Sequence, residues 1–251
     1  MSPAIETPDL SGRLALITGA SRGIGYQIAL QMAKAGAEII AVARTVGGLE
    51  ELDDAIVAAG GKCTLVPLDL KDHEGVDRLG GVIAQRWGKL DILVANAGML
   101  GTIAPTGQTK SKIFDEVVDI NFKSVWRLIR TTEPLLRQSD AGRALLLSSS
   151  VAHSARAFWG PYAATKAAVE ILGRTWAAET ANSALRVNNV NPGATATRMR
   201  AQAMPGENAA SLPTAEEVAA KIIPLASPKL MQTGMLFDVP SNQWLNYNPP
   251  S

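Results

Sequence analysis

A tyrosine and a lysine stand one helical turn apart in the second half of the chain. The stretch "YAATK" (162 to 166) places Tyr162 and Lys166 at i and i+4, on one face of a predicted helix. A phenol beside a fixed ammonium is easier to ionise, because the opposite charge favours the phenolate. Tyr162 would then act as a general acid or base near neutral pH. Taken alone, the pair is also compatible with an amphipathic helix in which a tyrosine packs beneath a lysine.

A run of serines precedes this helix. The apolar stretch "RALLLSS" (143 to 149) predicts a buried strand, and Ser148, Ser149 and Ser150 stand at its carboxyl end. Open α/β sheets bind ligands at that edge. A serine hydroxyl there could donate to a substrate carbonyl oxygen and polarise it, but the strand alone does not say which serine does so.

A glycine-rich loop follows the first predicted strand. In "TGASRGIG" (18 to 25), Gly19, Gly23 and Gly25 allow a tight turn and a close approach of the backbone to a pyrophosphate at a helix N-terminus. The loop residues Ser21, Arg22 and Ile24 are assigned to the same cofactor site. The alternative is a merely tight strand-to-helix turn. The spacing is G-x-x-x-G-x-G, which differs from the common G-x-G-x-x-G fingerprint.

Two arginines indicate which dinucleotide binds. NAD sites usually end the second strand on an acid that accepts from the ribose 2′-OH, whereas NADP sites place an arginine nearby for the 2′-phosphate. Here that strand ends "AVAR", with Ala43 in place of the acid and Arg44 next, and Arg22 lies in the glycine loop. Since the guanidinium fork suits a phosphate, the sequence predicts NADP(H), with NAD(H) as the second option and two solvated arginines as the structural alternative.

The elements that must position these residues alternate along the chain. Longer segments of helical periodicity separate short apolar runs, which predicts an α/β fold: a single doubly wound domain of about seven parallel strands with helices on both faces. The predicted strands are 13 to 18, 37 to 43, 63 to 68, 91 to 97, 143 to 149, 185 to 190 and 234 to 239. The clearest predicted helices are 25 to 36, 76 to 88 and 162 to 180.

In this order the motifs resemble those of the short-chain dehydrogenase/reductase family, from about residue 10 to residue 239. The residues that carry the resemblance are "TGASRGIG" (18 to 25), "LDL" (68 to 70), "NAG" (96 to 98), Asn121 in "VDINF", "SSS" (148 to 150), "YAATK" (162 to 166) and "NPGATATRM" (191 to 199). The resemblance implies a Rossmann-type fold.

The resemblance also implies a catalytic tetrad. The family's Asn, Ser, Tyr and Lys fall on Asn121, Ser149, Tyr162 and Lys166. Ser149 is chosen because the family's serine usually lies thirteen residues before the tyrosine; Ser148 and Ser150 stay open. Asn121 is implied to hold a water that links Lys166 to solvent, and an asparagine that satisfies helix backbone at a bend is compatible with that role.

Further cofactor contacts follow from the resemblance alone. It implies that Asp69, beside Leu70, meets the adenine amino group, and that Thr195 and Thr197 hold the nicotinamide carboxamide. The nicotinamide ribose is implied to meet Tyr162 and Lys166. The remaining implied cofactor residues are Asn96, Ala97, Gly98, Pro192 and Gly193. For the two threonines, capping of a following helix is the structural alternative.

The chain departs from the family near its end. In place of the usual glycine pair after the last strand it reads "TGMLFDVPSNQWLNYNPPS", so the role of this tail is open. The segment 194 to 214 is small, polar and punctuated by Pro and Gly, which favours a mobile loop over the substrate. In the family, the long helix and the helix after "NAG" pack against a second subunit, which implies a homodimer or homotetramer.

Composition limits the other functions. With 251 residues, 47% of them hydrophobic, and a net charge of +1, the sequence favours one domain (1–251) and gives no argument for a nucleic-acid or membrane partner. The single cysteine, Cys63, excludes an internal disulfide, and neither it nor His73 nor His153 has partners at metal-ligand spacing. No metal is expected. Neither a membrane span nor a secretory signal is recognised, so a cytoplasmic location is predicted.

The leading hypothesis is therefore an NADP(H)-dependent oxidoreductase that interconverts a carbonyl and a secondary alcohol, with a small-molecule substrate that the sequence does not identify. The alternative is a catalytically silent dinucleotide-binding regulator on the same fold. Retention of Asn121, Ser149, Tyr162 and Lys166 favours the enzyme.

Overall fold

The computed structural model of this chain describes residues 7–247, which form an eight-stranded sheet with helices on both faces. The strands are β1 (Leu14–Thr18), β2 (Glu38–Ala43), β3 (Lys62–Pro67), β4 (Ile92–Ala95), β5 (Arg143–Leu147), β6 (Arg186–Asn191), β7 (Leu236–Asp238) and β8 (Gln243–Leu245). Their order is β3-β2-β1-β4-β5-β6-β7-β8. The first seven run parallel, and β8 is antiparallel to β7.

Helical crossovers connect the parallel strands. The α-helices are α1 (Gly23–Lys34), α2 (Val46–Ala58), α3 (His73–Trp87), α4 (Ser111–Val118), α5 (Ser124–Leu136), α6 (Val151–Ser154), α7 (Gly160–Glu179), α8 (Arg198–Ala203) and α9 (Ala215–Ile222). A π-helical turn, Asp119–Lys123, joins α4 to α5.

Alternate residues of each central strand enter two separate cores. In β1, Ala15 and Ile17 pack in the layer with α1, α2 and α9, whereas Leu14 and Leu16 pack in the layer with α3, α5 and α7. Both faces of the sheet are thus covered. This is why the strands read as continuous apolar runs instead of alternating polar and apolar residues. The predicted fold class is confirmed.

Each predicted strand is present, with ends that differ by up to two residues. The eighth strand was not predicted, because Gln243–Leu245 is short and lacks an apolar run. It is reached by a tight turn in which Asn242 adopts a left-handed φ of 55° and the Ser241 amide donates to Asp238 Oδ2 at 3.1 Å. Residues 1–6 and 248–251, the second of which belong to the tail that departs from the family pattern, lie outside the described residues.

The strand order reverses between β1 and β4. From β1 the chain proceeds outward to β2 and β3, and then returns to place β4 on the other side of β1. At such a switch point the two crossovers leave in opposite directions and open a crevice at the carboxyl ends of the strands. The glycine loop, the serine run and the segment after β6 all follow strands at this edge.

Candidate active site

Three elements bring the predicted catalytic residues together. Ser149 follows β5, Asn121 lies in the π-helical turn, and Tyr162 and Lys166 lie on α7. Helix α7 begins at Gly160, with Pro161 in its first turn, where the missing N–H costs nothing. Tyr162 and Lys166 are 8% and 4% exposed, so the pair is held inside the protein and not at its surface.

The end of β5 lies against α7. The Lys166 ammonium donates to the Leu147 carbonyl oxygen at 2.7 Å, and Lys166 Nζ lies 5.7 Å from the centre of the Tyr162 ring. The Ser149 side chain lies close enough to the Tyr162 hydroxyl to favour its ionised form. A hydroxyl donor, a phenol and an ammonium therefore share one small region, as general acid–base chemistry on a carbonyl requires.

The three serines have different surroundings. Ser148 is buried and its hydroxyl donates to Glu170, while Ser150 is exposed at the start of α6. Ser149 interacts with Tyr162. Because the Ser148 hydroxyl is bound to Glu170 and Ser150 is exposed, Ser149 is the best candidate of the three positions left open by the sequence.

Burial, and not the lysine charge, dominates the ionisation of Tyr162. Burial raises the pKa of Tyr162 to about 12, and the hydrogen bond with Ser149 opposes this only in part. Burial lowers the pKa of Lys166 to about 8, while the charge of Glu170 acts in the opposite direction. The expected lowering of the Tyr162 pKa by Lys166 is thus wrong for the protein alone. Burial removes water from both groups and therefore disfavours both charged forms, the phenolate of Tyr162 and the ammonium of Lys166.

Asn121 holds the loop after β4. Its Oδ1 accepts from the Met99 amide at 2.8 Å, and its Nδ2 donates to the Met99 carbonyl at 3.0 Å and to Thr165 Oγ1 at 3.1 Å. Both polar atoms of the fully buried amide are therefore satisfied by protein groups. The structure gives Asn121 a positioning role, and the water-holding role stays a prediction.

The glycine loop leaves room for a ligand close to the backbone. Gly19 and Gly23 adopt left-handed φ angles of 68° and 59°. A Cβ added at Gly25 would lie 2.4 Å from both the Gly19 carbonyl oxygen and Asn96 Nδ2, so a side chain here would force the loop open. Ser21, Arg22 and Ile24 complete the turn into α1, with Arg22 exposed at its N-terminus. These residues fit a dinucleotide pyrophosphate.

The ends of β2 and β3 carry charged groups side by side. Arg44 is exposed directly after β2, and its Nη1 lies 3.9 Å from Asp69 Oδ2 after β3. Asp69 Oδ1 also accepts from the Lys71 amide at 3.0 Å, while Leu70 is buried. The arginine expected to contact a 2′-phosphate and the aspartate expected to contact adenine thus border one region.

Small residues follow β4. Thr18, at the end of β1, accepts at its hydroxyl oxygen from the amides of Asn96 and Ala97, each at 3.1 Å. The Asn96 side chain donates to the Thr18 carbonyl at 2.8 Å. A Cβ built at Gly98 would lie 3.6 Å from Lys166 Nζ, so the "NAG" segment runs from the glycine loop to the catalytic lysine.

After β6 the chain turns at Pro192 and Gly193. Gly193 has a φ of 73°, and a Cβ there would lie 2.4 Å from Pro240 Cγ. Thr195 is buried, and Thr197 caps α8 by accepting from the Arg200 amide at 3.3 Å. The capping alternative thus holds for Thr197, and the predicted carboxamide contacts of both threonines stay predictions.

The segment 194–214 contains more order than its composition indicates. It includes α8, and Ala196 pairs with Thr214 in an isolated parallel bridge. Arg200 Nε lies 2.5 Å from Glu207 Oε2, which closes the segment on itself. Whether the segment moves over a substrate stays a prediction.

An apolar cluster borders the tyrosine. Leu100, Val151, Trp159 and Tyr162 form a small buried group, and Met199 of α8 packs against it. The rings of Trp159 and Tyr162 meet edge to face with centres 5.9 Å apart. The reacting groups are therefore bordered by hydrocarbon on the side of α8.

Three residues of this region were missed by the sequence analysis. Thr18 joins β1 to the loop after β4, Thr165 holds Asn121, and Glu170 is a buried carboxylate on α7. The spacing 162, 166, 170 could have shown that Glu170 shares a helix face with the catalytic pair. Nothing in the sequence distinguishes Thr165 from an ordinary helical threonine.

Two expectations concern groups elsewhere. Cys63 is half-buried in β3, and burial raises the pKa of its thiol to about 12, which makes it a poor nucleophile. In residues 7–247, no helix has the length and hydrophobicity needed to cross a bilayer, and no three His, Cys, Asp or Glu side chains are grouped to hold a metal ion.

Comparison with known proteins agrees with this geometry. Residues 13–208 match the family model described as short chain dehydrogenase. An uncharacterized oxidoreductase of Escherichia coli K12, YciK, is 35% identical over 233 residues, which cover 91% of this chain and 92% of that protein. An uncharacterized NAD-dependent oxidoreductase of Mycobacterium tuberculosis is 32% identical over 197 residues, which cover 73% of this chain and 71% of the relative.

The architecture is also shared with solved structures. A short chain dehydrogenase from Shigella flexneri 2a, solved in complex with NADP, is 35% identical and superposes with a TM-score of 0.89 over 94% of this chain and all of the other. The family model matches most of the chain, and the similarity extends over nearly the whole length of the E. coli relative and of the S. flexneri structure. The tyrosine, lysine and serine also meet at one sheet edge. The chain therefore belongs to the short-chain dehydrogenase family of oxidoreductases.

Proposed function

We propose that this protein is a cytoplasmic oxidoreductase that uses NADP(H) to interconvert a carbonyl and a secondary alcohol on a small molecule. The observation that carries the proposal is the meeting of Ser149, Tyr162 and Lys166 beside Leu147, at the edge of the sheet where the glycine loop also ends. The bordering apolar cluster would favour an uncharged substrate.

Each side chain has a role in the proposed reaction. When bound, NADP(H) supplies or accepts a hydride at the carbonyl carbon. Tyr162 gives its proton to the carbonyl oxygen in reduction and takes it back in oxidation, and the Ser149 hydroxyl donates a hydrogen bond to the same oxygen. The Lys166 ammonium stabilises the phenolate that remains, and with NADP(H) bound it would also hold the nicotinamide ribose. Because burial holds Tyr162 protonated, the phenol is a proton donor ready for reduction.

The role of Tyr162 is tested by replacing it with phenylalanine. NADPH oxidation is followed at 340 nm against a panel of ketones and aldehydes, with wild type and Tyr162→Phe measured side by side. The variant should lose at least about a hundredfold in kcat/KM, since it lacks the proton donor, and should bind NADPH nearly as well. Turnover retained by the variant would contradict the assignment.

The same experiment separates the two functions. Tight NADPH binding without turnover by wild type across the panel would favour the catalytically silent regulator. Turnover by wild type that disappears in Tyr162→Phe would favour the oxidoreductase.

The preference for NADP(H) rests on Arg44 and Arg22. Both side chains are exposed at the carboxyl edge of the sheet, in the glycine loop and directly after β2, and a solved relative holds NADP. The NAD-dependent relative keeps NAD(H) as the second option.

Fluorescence titration tests this preference. Wild type should bind NADPH more tightly than NADH. Arg44→Ala should weaken NADPH binding by about tenfold and leave the NADH affinity, the internal control, nearly unchanged. Tighter binding of NADH by wild type would reverse the assignment.

A further inference from the structure

A buried carboxylate lies one turn beyond the catalytic lysine, and the proposed reaction does not use it. Glu170 is 3% exposed. Its Oε1 accepts from the Ser148 hydroxyl, and its Oε2 accepts from the Tyr247 hydroxyl at 3.0 Å and lies 2.7 Å from His153 Nε2. A buried carboxylate with this many partners is costly to build, so a purely space-filling role is a poor explanation.

Glu170 extends a row of contacts between β5 and α7. The Leu147 carbonyl is bound by Lys166 and the next residue, Ser148, is bound by Glu170. Ser149 follows and interacts with Tyr162. Three successive residues at the strand end are thus each held by one residue of a single helix face. Since Ser148 directly precedes Ser149, fixing its side chain also limits where the Ser149 hydroxyl can point.

The charge of Glu170 also acts on the lysine. Burial of Lys166 disfavours the ammonium, and the negative charge of Glu170 favours it. The two side chains stand one helical turn apart on the same face of α7, where the interior screens charges less than water does, so the carboxylate opposes part of the effect of burial.

We propose, on the basis of the oxidoreductase function above, that Glu170 is a positioning residue of the active site: through Ser148 it fixes the Ser149 segment against α7, one helical turn beyond Lys166. The tail that departs from the family pattern takes part in this arrangement, because the Tyr247 hydroxyl donates to the carboxylate.

Polar and titratable groups of three other elements surround Glu170. Helix α6 contributes His153, and the tail contributes Tyr247, whose pKa is raised by burial and by Glu170, so that it stays neutral. On α7, the Arg174 guanidinium lies 4.2 Å from the centre of the Tyr247 ring. From β6 comes the uncharged Asn189, whose Nδ2 donates to the Glu170 carbonyl at 3.1 Å and to Tyr247 at 3.2 Å. Of these, His153 is the group to control.

The test is the titration of Lys166 in wild type and in Glu170→Gln. Glutamine has the same shape and can still bond Ser148 and Tyr247, but it carries no charge. With 13C-labelled lysine, the Lys166 resonance is assigned by its loss in Lys166→Met and followed by NMR from pH 6 to pH 11. In Glu170→Gln its midpoint should fall by about one pH unit, since an opposite charge is removed. His153→Gln is the control and should move the midpoint much less.

Kinetics supply the second measurement. The alkaline limb of kcat/KM should move to lower pH in Glu170→Gln by the same amount as the NMR midpoint. Ser148→Ala keeps the carboxylate, and it should lower kcat several-fold without moving that limb, because it loosens the Ser149 segment alone.

The outcomes separate this proposal from the one it rests on. Absence of turnover in wild type would contradict the oxidoreductase function and leave the NMR result to decide the charge role of Glu170. An unchanged Lys166 midpoint in Glu170→Gln would overturn that role, and full activity in Ser148→Ala would overturn the positioning of Ser149.

If Glu170→Gln does not fold, Glu170→Asp replaces it. The aspartate keeps the charge but places it one methylene further from its partners, so kcat should fall while the midpoint of Lys166 stays near that of wild type. A Glu170→Asp variant with unchanged kcat would overturn the proposal.

Discussion

At Lys166, burial and hydrogen bonding have opposite effects on stability. The ammonium is 4% exposed, and burial brings its pKa from 10.5 to about 8. A shift of this size corresponds to a difference of the order of 3 kcal/mol between the two protonation states. The hydrogen bond to the Leu147 carbonyl offsets part of this cost, by about 1 kcal/mol. The residue is therefore placed for function at the expense of stability, as is common in active sites.

Replacing this lysine should stabilise the protein. The folded-state pKa of Lys166 lies below the unfolded value, so the unfolded chain binds more protons between about pH 8 and pH 10.5. The contribution of Lys166 to stability therefore rises with pH across that window, and its cost is present in full below it. At pH 7, Lys166→Met should be more stable than wild type by about 1–2 kcal/mol in urea unfolding, after the lost hydrogen bond is counted.

The pH dependence provides the control for this prediction. The advantage of Lys166→Met should shrink as the pH rises from 8 to 10. The raised pKa of Tyr162, which makes stability fall above pH 10, is present in both proteins and largely cancels. An advantage that stays constant from pH 7 to pH 10 would show that packing, and not charge, is responsible.

Single residues differ in how well the sequence predicts them. Tyr162 and Lys166 are recognisable because their spacing has a chemical meaning, and the structure brings them together with Ser149. Thr165 and Glu170 carry no comparable signal, because their importance arises from contacts with distant parts of the chain. Thr165 contacts Asn121, 44 positions earlier, and Glu170 contacts Tyr247, 77 positions later. The ionisation of Tyr162 was predicted in the wrong direction because burial depends on the packed helix and cannot be read from an i, i+4 pair.

At the scale of elements, the connection from β5 to α7 contains local strain. Phe158 has a left-handed φ of 74° although it is not a glycine, and its side chain is half exposed. Its carbonyl accepts from the Ala104 amide at 3.1 Å, which joins this connection to the loop after β4. A bulky residue in this conformation costs about 1–2 kcal/mol. The conformation fixes two of the segments that border the apolar cluster at Tyr162.

Removing the Cβ at this position should relieve the strain. Phe158→Gly and Phe158→Ala both remove the ring, but only glycine adopts the left-handed conformation freely. In urea unfolding, the free energy of unfolding of Phe158→Gly should exceed that of Phe158→Ala by about 0.5–1 kcal/mol. This difference already includes the greater entropy of glycine in the unfolded chain. A more stable alanine variant would mean that the backbone relaxes out of the left-handed region.

Parallel strands and long helices were the most predictable elements. Their apolar runs reflect burial on both faces of the sheet, which is a direct consequence of the layered architecture. The π-helical turn at 119–123 and the antiparallel β8 were not predicted, because each depends on tertiary contacts. In the π-helical turn, Asn121 bonds Met99 and Thr165, and β8 pairs with a strand that is itself three residues long.

At the scale of the whole molecule, three large exposed apolar side chains lie on the helical layer formed by α4, α5 and α7. Phe114 of α4, Trp126 of α5 and Ile171 of α7 are 46%, 43% and 53% exposed. The resemblance to the family implies that this layer packs against a second subunit, and large exposed apolar groups are typical of such surfaces. Arg127 and Arg130 also lie near the Trp126 ring, at 5.7 and 5.3 Å from its centre. We therefore expect a homodimer or homotetramer.

A charge placed on this layer should lower the fraction of protein that is oligomeric. Ile171→Glu should shift the mass measured by light scattering at micromolar concentration towards the monomer, because a carboxylate would have to be desolvated in an apolar contact. Val57→Glu is the matched control: Val57 is 61% exposed on α2, on the opposite face of the sheet, and the same charge there should leave the mass of wild type unchanged. A wild-type protein that is monomeric under these conditions would contradict the expectation. Equal effects of the two substitutions would mean that assembly uses a different surface, and the apolar side chains of α4, α5 and α7 would then need another explanation.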